Sequence, residues 1–404
     1  MQNIIVEKPY RFLAPHRGDG IPTLIQSLRV VDCYLNKFEG IVSHEVRGVE
    51  HLRESLRQGH SILLAPNHCR YADPIAMGWV AREANIFLYT MASWHLFQQS
   101  RLQSFAIRLC GGFSVYREGV DRQSLATAVE LLNEAKRPLV VFAEGTVFRT
   151  NDLLQPLLDG VSFLARTAAR RRDQQDGGRV VVHPVAIKYL FGGELQTTLS
   201  PVLASLEQRL NIHRLGPPEP LLVRIAKLQE AMLTLKEIQY MGSAQAGPRS
   251  LRQQRLIEHL LEPLEQRWLG RRLSEPIMPR VKQLRTAIVP QLFQAEPGSV
   301  TRDELWAQLA DIYIAQQIAS HPPDYLQQPT DTRVLETVEA LEEDLTDRAR
   351  LHRPLHAILE VGQAIEVKAG RAPRGEQDPL MVALTASLRS MLSRLAQEAQ
   401  PLSF

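Results

Sequence analysis

SILLAPNHCRYADP (Ser61–Pro74) runs in one short stretch from apolar side chains, through a polar loop, to a proline suited to the first turn of a helix. Its first six residues read as a buried strand, because a continuous apolar run bounded by turn residues fits a strand covered on both faces. Similar runs recur on either side of helical patterns: Asn85–Ala92, Phe113–Arg117, Pro138–Ala143 and Val180–Leu190. Between them, residues 74–84, 95–110, 121–136 and 157–172 carry helical periodicity. Strands alternating with helices of that length predict an α/β fold with a mainly parallel central sheet flanked by helices. After about residue 200 the strand-like runs stop, and the rest predicts an all-α C-terminal domain punctuated by Pro and Gly.

The organisation expected is an N-terminal extension and helix at 1–44, an α/β domain at 45–205 and a helical region at 206–404. Thr301 to Glu304 has the spacing of a capping box, and residues 329–362 read as an amphipathic helix. No internal repeat is expected. With 404 residues and 44% hydrophobic content, the chain can bury a sizeable core. A formal charge of +3 gives no reason to expect a nucleic-acid partner. Cys33, Cys69 and Cys110 lack metal-ligand spacing and suit a reducing compartment. No window is apolar enough to span a bilayer and no signal peptide is read, so the expected location is the cytoplasmic side of a membrane, held peripherally.

The loop in Ser61–Pro74 would lie outside the carboxyl end of a strand, where open α/β sheets bind ligands. It holds His68 and Asp73. An imidazole accepts a hydroxyl proton near neutral pH, and a carboxylate on its other nitrogen fixes the tautomer. Asp73 before Pro74 equally suits a helix cap. Ala143-Glu144-Gly145-Thr146 ends another strand; it is a strand-to-helix turn, or it holds a hydroxyl and offers backbone N–H groups to an anion. Arg117, after Gly111–Tyr116, is a phosphate clamp or a surface arginine. His183–Lys188 is a core strand with a proline.

Together these segments resemble the glycerol-phosphate and lysophosphatidic acid acyltransferases, over residues 45–190. Asn67 to Pro74 is similar to the family's Asn-His-x-x-x-x-Asp block, and Gly112 to Arg117 to its second block, which ends in a phosphate-binding Arg. Phe142 to Thr146 is similar to its Phe-Pro-Glu-Gly-Thr block, and His183 to Ala186 to its last Val-Pro block. The resemblance implies an O-acyltransferase of phospholipid biosynthesis or remodelling, with an acyl-CoA or acyl carrier protein thioester as co-substrate and no other cofactor or metal. The acceptor would be a lysolipid or glycerol phosphate, and the membrane surface and acyl carrier protein would be partners.

By the same resemblance His68 and Asp73 are catalytic. Asn67, Arg117, Glu144, Gly145 and Thr146 bind substrate, and Pro184 and Val185 line the acyl pocket. Backbone N–H groups at Gly145 and Thr146 would meet the oxyanion. Three departures fall on the headgroup side: Tyr116 stands where the family has Asp, Ala143 where it has Pro, and Val147 and Phe148 intervene before Arg149. Alternatives are a thioesterase on the same site, a metal hydrolase using His68, Asp73 and His60, and a non-catalytic lipid-binding protein. His95–Cys110, Pro22–Lys37 and the cluster Arg166, Arg170, Arg171 and Arg172 are candidate membrane contacts.

Overall fold

The computed structural model describes all residues except 1–7, 9, 176–177, 213–218, 349, 371–376 and 403–404. It divides into two compact units, one of Asn3–Gly192 with Arg353–Glu398, the other of Gly193–His352 with Ala399–Phe404.

The first unit opens with α1 (Gly20–Ser27), α2 (Val30–Glu39), β1 (Ile41–Arg47), α3 (Val49–Arg57) and β2 (Ser61–Pro66). It continues with α4 (Asp73–Ala84), β3 (Tyr89–Ser93), a 3₁₀ turn (Trp94–Gln98), α5 (Arg101–Leu109), β4 (Gly112–Val115) and α6 (Arg122–Glu134). β5 (Leu139–Val140), α7 (Gly160–Asp173) and β6 (Val180–Phe191) complete its N-terminal part. The second unit follows with α8 (Leu195–Arg209), α9 (Leu221–Met241), α10 (Arg249–Leu269), α11 (Ile277–Gln294), α12 (Val300–Ser320) and α13 (Asp331–Thr346). The chain then returns to the first unit as β7 (Leu355–Val361), β8 (Ile365–Glu366) and α14 (Pro379–Ala396).

The sheet has the order β1-β7-β6-β2-β5-β3-β4, with β8 on β6. β2, β3, β4, β5 and β6 run parallel, so their carboxyl ends share one edge. All six residues of β2 are buried, as a central strand covered on both faces requires. The core on one side joins Leu63, Ala65 and Val182 to Val161 and Leu164 of α7 and to Leu384 and Leu388 of α14.

The return of the chain corrects the expected division. Residues 353–398 are part of the α/β unit, and β7 lies where an amphipathic helix was read through residue 362. β7 pairs parallel to β1 and antiparallel to β6, joining the two. Leu355, Ala357, Leu359 and Val361 are buried with Ile358 between them, the burial of an interior strand.

The second unit does carry a repeat. Pro220, Pro248 and Pro276 recur every 28 residues and each precedes the first residue of a helix. In step with them come Arg224, Arg252 and Arg280, then Leu228, Leu256 and Leu284, all three leucines fully buried. Gly242 and Gly270 close α9 and α10 in the left-handed conformation that glycine adopts without penalty. Each arginine pairs with a buried glutamate of the preceding helix. Arg224 grips Glu207 at 2.7 and 3.0 Å, Arg252 grips Glu237 at 2.9 and 2.7 Å, and Arg280 reaches Glu265 at 2.6 Å. The residues between these anchors differ from one repeat to the next, which hides the period in the sequence. Further on, Ser299 caps α12 by accepting from Arg302 N, so the helix begins before the Thr301 cap read from sequence.

Candidate active site

β6 outlasts its neighbour. β2 ends at Pro66, opposite Val185, while β6 continues to Phe191 with its β2-facing edge uncovered. Unpaired strand N–H and C=O groups must find other partners. Two asparagine side chains serve, since an amide both donates and accepts. Asn67 accepts from Ile187 N at 2.7 Å and donates to Ile187 O at 3.0 Å. Asn151 does the same for Tyr189, at 2.8 and 3.0 Å. The loops carrying these asparagines are thereby stitched to β6. Asn67 is 2% exposed with its amide committed to Ile187, so it shapes the loop rather than contacting substrate as expected.

His68 follows immediately, with its side chain 14% exposed. Its Nδ1 lies 2.8 Å from Asp73 Oδ2 and its ring packs on Phe142 at 4.2 Å between centroids. Asp73 is fully buried. Its Oδ2 also accepts Cys69 N at 2.7 Å and Arg70 N at 2.9 Å, and its Oδ1 accepts the Tyr189 hydroxyl at 2.7 Å. A helix cap would bond the N–H groups that follow it. Asp73 instead bonds those that precede it, so its carboxylate faces the loop and the imidazole. With Nδ1–H donating to the carboxylate, the Nε2 lone pair is left to accept a proton.

Glu144 sits beneath this loop, 2% exposed. One oxygen accepts His68 N at 2.6 Å and the other accepts Gln155 N at 3.0 Å. Burial pushes its carboxyl up to about 8, helped by the charge of Asp73 and opposed by those two backbone donors. It was expected to hold the acceptor; in the structure it fixes the backbone of His68. Gly145 has φ +76°, a conformation that strains any other residue, and a Cβ there would have to displace the Leu158 Cδ1 methyl at 2.7 Å. Its N–H donates to Phe142 O at 3.1 Å and so is not the oxyanion donor expected of it. Thr146, 8% exposed in the next bend, makes no hydrogen bond among the described residues.

Arg117 is half-buried in the bend after β4, on the same edge as His68. Three strand spacings separate β4 from β2, roughly 14 Å across the sheet. Tyr116, beside it, stacks on Tyr10 at 5.2 Å, and Tyr10 meets Trp94 edge-on at 5.3 Å. Pro184 and Val185 were expected to line one acyl pocket together. Adjacent strand residues point to opposite faces, so they cannot. Both are buried, Pro184 against Gly362, whose N–H donates to Pro184 O at 2.8 Å.

Cys69 is 2% exposed, with its thiol near Asp73, Asn151 and Ile187 O at 3.7–3.8 Å, enclosed rather than presented as a nucleophile. His60 precedes β2 while His68 follows it, so the strand's length, about 20 Å, keeps them from sharing a metal. Arg166 pairs with Asp378 at 2.5 Å, and the buried Arg172 donates to Asn133 O at 2.6 Å. Of the basic cluster, Arg170 and Arg171 alone are exposed.

Sequence reasoning missed Tyr189, Asn151 and Phe142 as supports of the His68–Asp73 pair. Tyr189 immediately follows the stretch His183–Lys188 read as a core strand, but only the register of β6 shows which residues face the loop. Residues 45–188 match the protein-family model described as Acyltransferase. A search of curated proteins found no match to the chain.

Proposed function

We propose, from the premise that residues 45–188 are a domain of the acyltransferase family, that of the glycerol-phosphate and lysophosphatidic acid acyltransferases, that this enzyme acylates a lysophospholipid or glycerol phosphate. Acyl transfer is the activity of the domain. The donor proposed is a thioester of coenzyme A or of acyl carrier protein. The observation that carries the mechanism is the His68 Nδ1–Asp73 contact at 2.8 Å beside a half-open strand-end loop.

In this reading His68 Nε2 removes the proton of the acceptor hydroxyl as its oxygen attacks the thioester carbonyl. Asp73 holds the ring and stabilises the imidazolium. Collapse of the tetrahedral intermediate breaks the C–S bond, and the imidazolium proton passes to the leaving thiolate. Thr146 is the proposed donor to the oxyanion, a contact of the kind that contributes about 2.7–4 kcal/mol. Arg117, some strands away, would take the acceptor phosphate at a point remote from the reacting hydroxyl.

Membrane contact is proposed through the helices flanking the sheet. α5 has no buried residue, and its Leu102 and Phe105 are 78% and 59% exposed. Leu24, Leu28 and Phe38 of the α1–α2 region are also exposed. Apolar side chains with basic neighbours such as Arg101 suit an interfacial helix. Among the described residues no helix is long and apolar enough to cross a membrane.

The test is to incubate the protein and His68→Ala with acyl-CoA or acyl-ACP and a panel of lysolipids and glycerol phosphate, reading new lipid by mass spectrometry. A product lost by at least about 10²-fold in the variant is expected, the lower range of general-base catalysis. Free fatty acid as the His68-dependent product would make the enzyme a thioesterase. Turnover unaffected by His68→Ala would remove the mechanism.

A further inference from the structure

Asp73 has two oxygens, and they are held differently. Oδ2 carries the imidazole and two N–H groups of its own loop. Oδ1 takes a hydrogen bond from Tyr189, a residue 116 positions away on β6. Tyr189 is itself held by the Asn151 amide, which takes both its N–H and its C=O. Its ring is 0% exposed. From the geometry we infer that Tyr189 is a positioning residue for acyl transfer, orienting Asp73 and drawing charge from it, and so setting how His68 holds a proton. This rests on the proposed role of His68 as the base.

Tyr189 never reaches the reacting atoms; everything it does passes through Asp73. Burial, and then the charge of Asp73, push its phenol well above the ordinary value, so it stays a neutral donor wherever the enzyme works. A donor on Oδ1 spreads the carboxylate's charge away from the imidazole. Without it the charge is concentrated on Oδ2, the imidazolium is better stabilised, and His68 gives up its proton at a higher pH. The ring also loses one restraint on its angle. Arg70, over the Tyr189 ring at 5.6 Å, and Cys69, whose thiol also reaches Asp73 Oδ1 at 3.8 Å, are the other groups whose charge acts on this phenol.

The test uses the full chain with Tyr189→Phe, which keeps the ring and removes the hydroxyl. Palmitoyl-CoA and oleoyl lysophosphatidic acid are the kinetic probes, and histidine-labelled protein gives the His68 ring signal by NMR titration. Expected is a fall in kcat of about tenfold, a part of the roughly 10²–10⁴-fold that a placed base supplies. KM for both probes should stay within about twofold, since uniform binding is untouched. The acid limb of the rate profile and the His68 midpoint should both move up by roughly half a unit. Unchanged kcat and an unmoved midpoint would overturn the inference, and lower stability with normal kcat would make Tyr189 a packing residue only.

The His68→Ala control separates the two ideas. Full activity there removes the base mechanism, and the NMR midpoint, which needs no turnover, then decides the Tyr189–Asp73–His68 linkage alone. Should Tyr189→Phe fail to fold, trifluorotyrosine at position 189 keeps the hydroxyl and makes it a stronger donor. The midpoint must then move down, and a static one overturns the inference.

Discussion

At the residue scale the site is a division of labour between one presented group and several hidden ones. His68 is the partly open member, while Asp73, Glu144, Asn67 and Tyr189 are enclosed and spend their polar atoms holding the loop. The His68–Asp73 pair is legible in sequence because both partners lie in a single loop. The roles of Asn67 and Glu144 are not, because their partners, Ile187 N and His68 N, are backbone atoms that no motif displays. Glu144 yields a test. Its folded value is raised to about 8 from an ordinary value near 4.5. For a raised carboxyl, stability is fully present below the unfolded value and is lost as pH climbs through the folded one. Stability should therefore fall between about pH 5 and 9, by an amount on the order of a few kcal/mol. Glu144→Gln should start lower, since an amide N–H2 faces a backbone N–H, but follow a flatter curve. Urea unfolding of both proteins across that range checks it, and parallel curves would show that Glu144 does not titrate there.

At the scale of elements, most strands and helices of the first half follow the apolar pattern. The strand and helix runs near 61, 85, 113, 138 and 180, and the helices between them, are close to where periodicity puts them. β1 and β7 are exceptions: Ile41–Arg47 is a strand that the expected boundary at residue 44 cuts through, and LHAILEV becomes a strand through β1 and β6, partners remote in sequence that no local pattern displays. The helical repeat of the second unit is a different case, in which the anchors are charged. A buried arginine–glutamate pair contributes little net stability over an apolar pair of similar volume, yet breaking it strands a charge. Arg252→Ala should thus cost about 3–5 kcal/mol by leaving Glu237 buried without its counter-charge, whereas Arg252→Met with Glu237→Leu should cost far less. Thermal unfolding of the single and double variants decides this. Equal losses would mean that the packing of the helices, not the stranded charge, is what the substitution disturbs.

At the scale of the whole molecule, the helical unit is an insertion between neighbouring strands of one sheet. Gly192 N donates to Pro354 O at 2.9 Å, so the chain leaves and re-enters the α/β unit at one point. The family match ends at residue 188, within β6, and does not include β7 or α14. A chain stopped at residue 205 would lack the strand that joins β1 to β6, and Leu384, Leu388 and Leu392 would no longer cover the sheet. Such a truncation should show no cooperative unfolding transition and no transfer activity. Replacing residues 193–352 with a short Gly/Ser linker should restore a cooperative transition, because the ends it must join already touch. Calorimetry of the two proteins distinguishes them; a truncated chain that melts cooperatively would show the sheet to be complete without β7.

The same return path has a consequence in time. A ribosome adds roughly 5–20 residues per second, so on the order of ten to thirty seconds pass between the emergence of β6 and that of β7. Throughout that interval the nascent chain carries a sheet open along β6 and, with α7 but not α14 in place, only partly covered on one face. The cell must shelter an α/β half that cannot close until β7 is made.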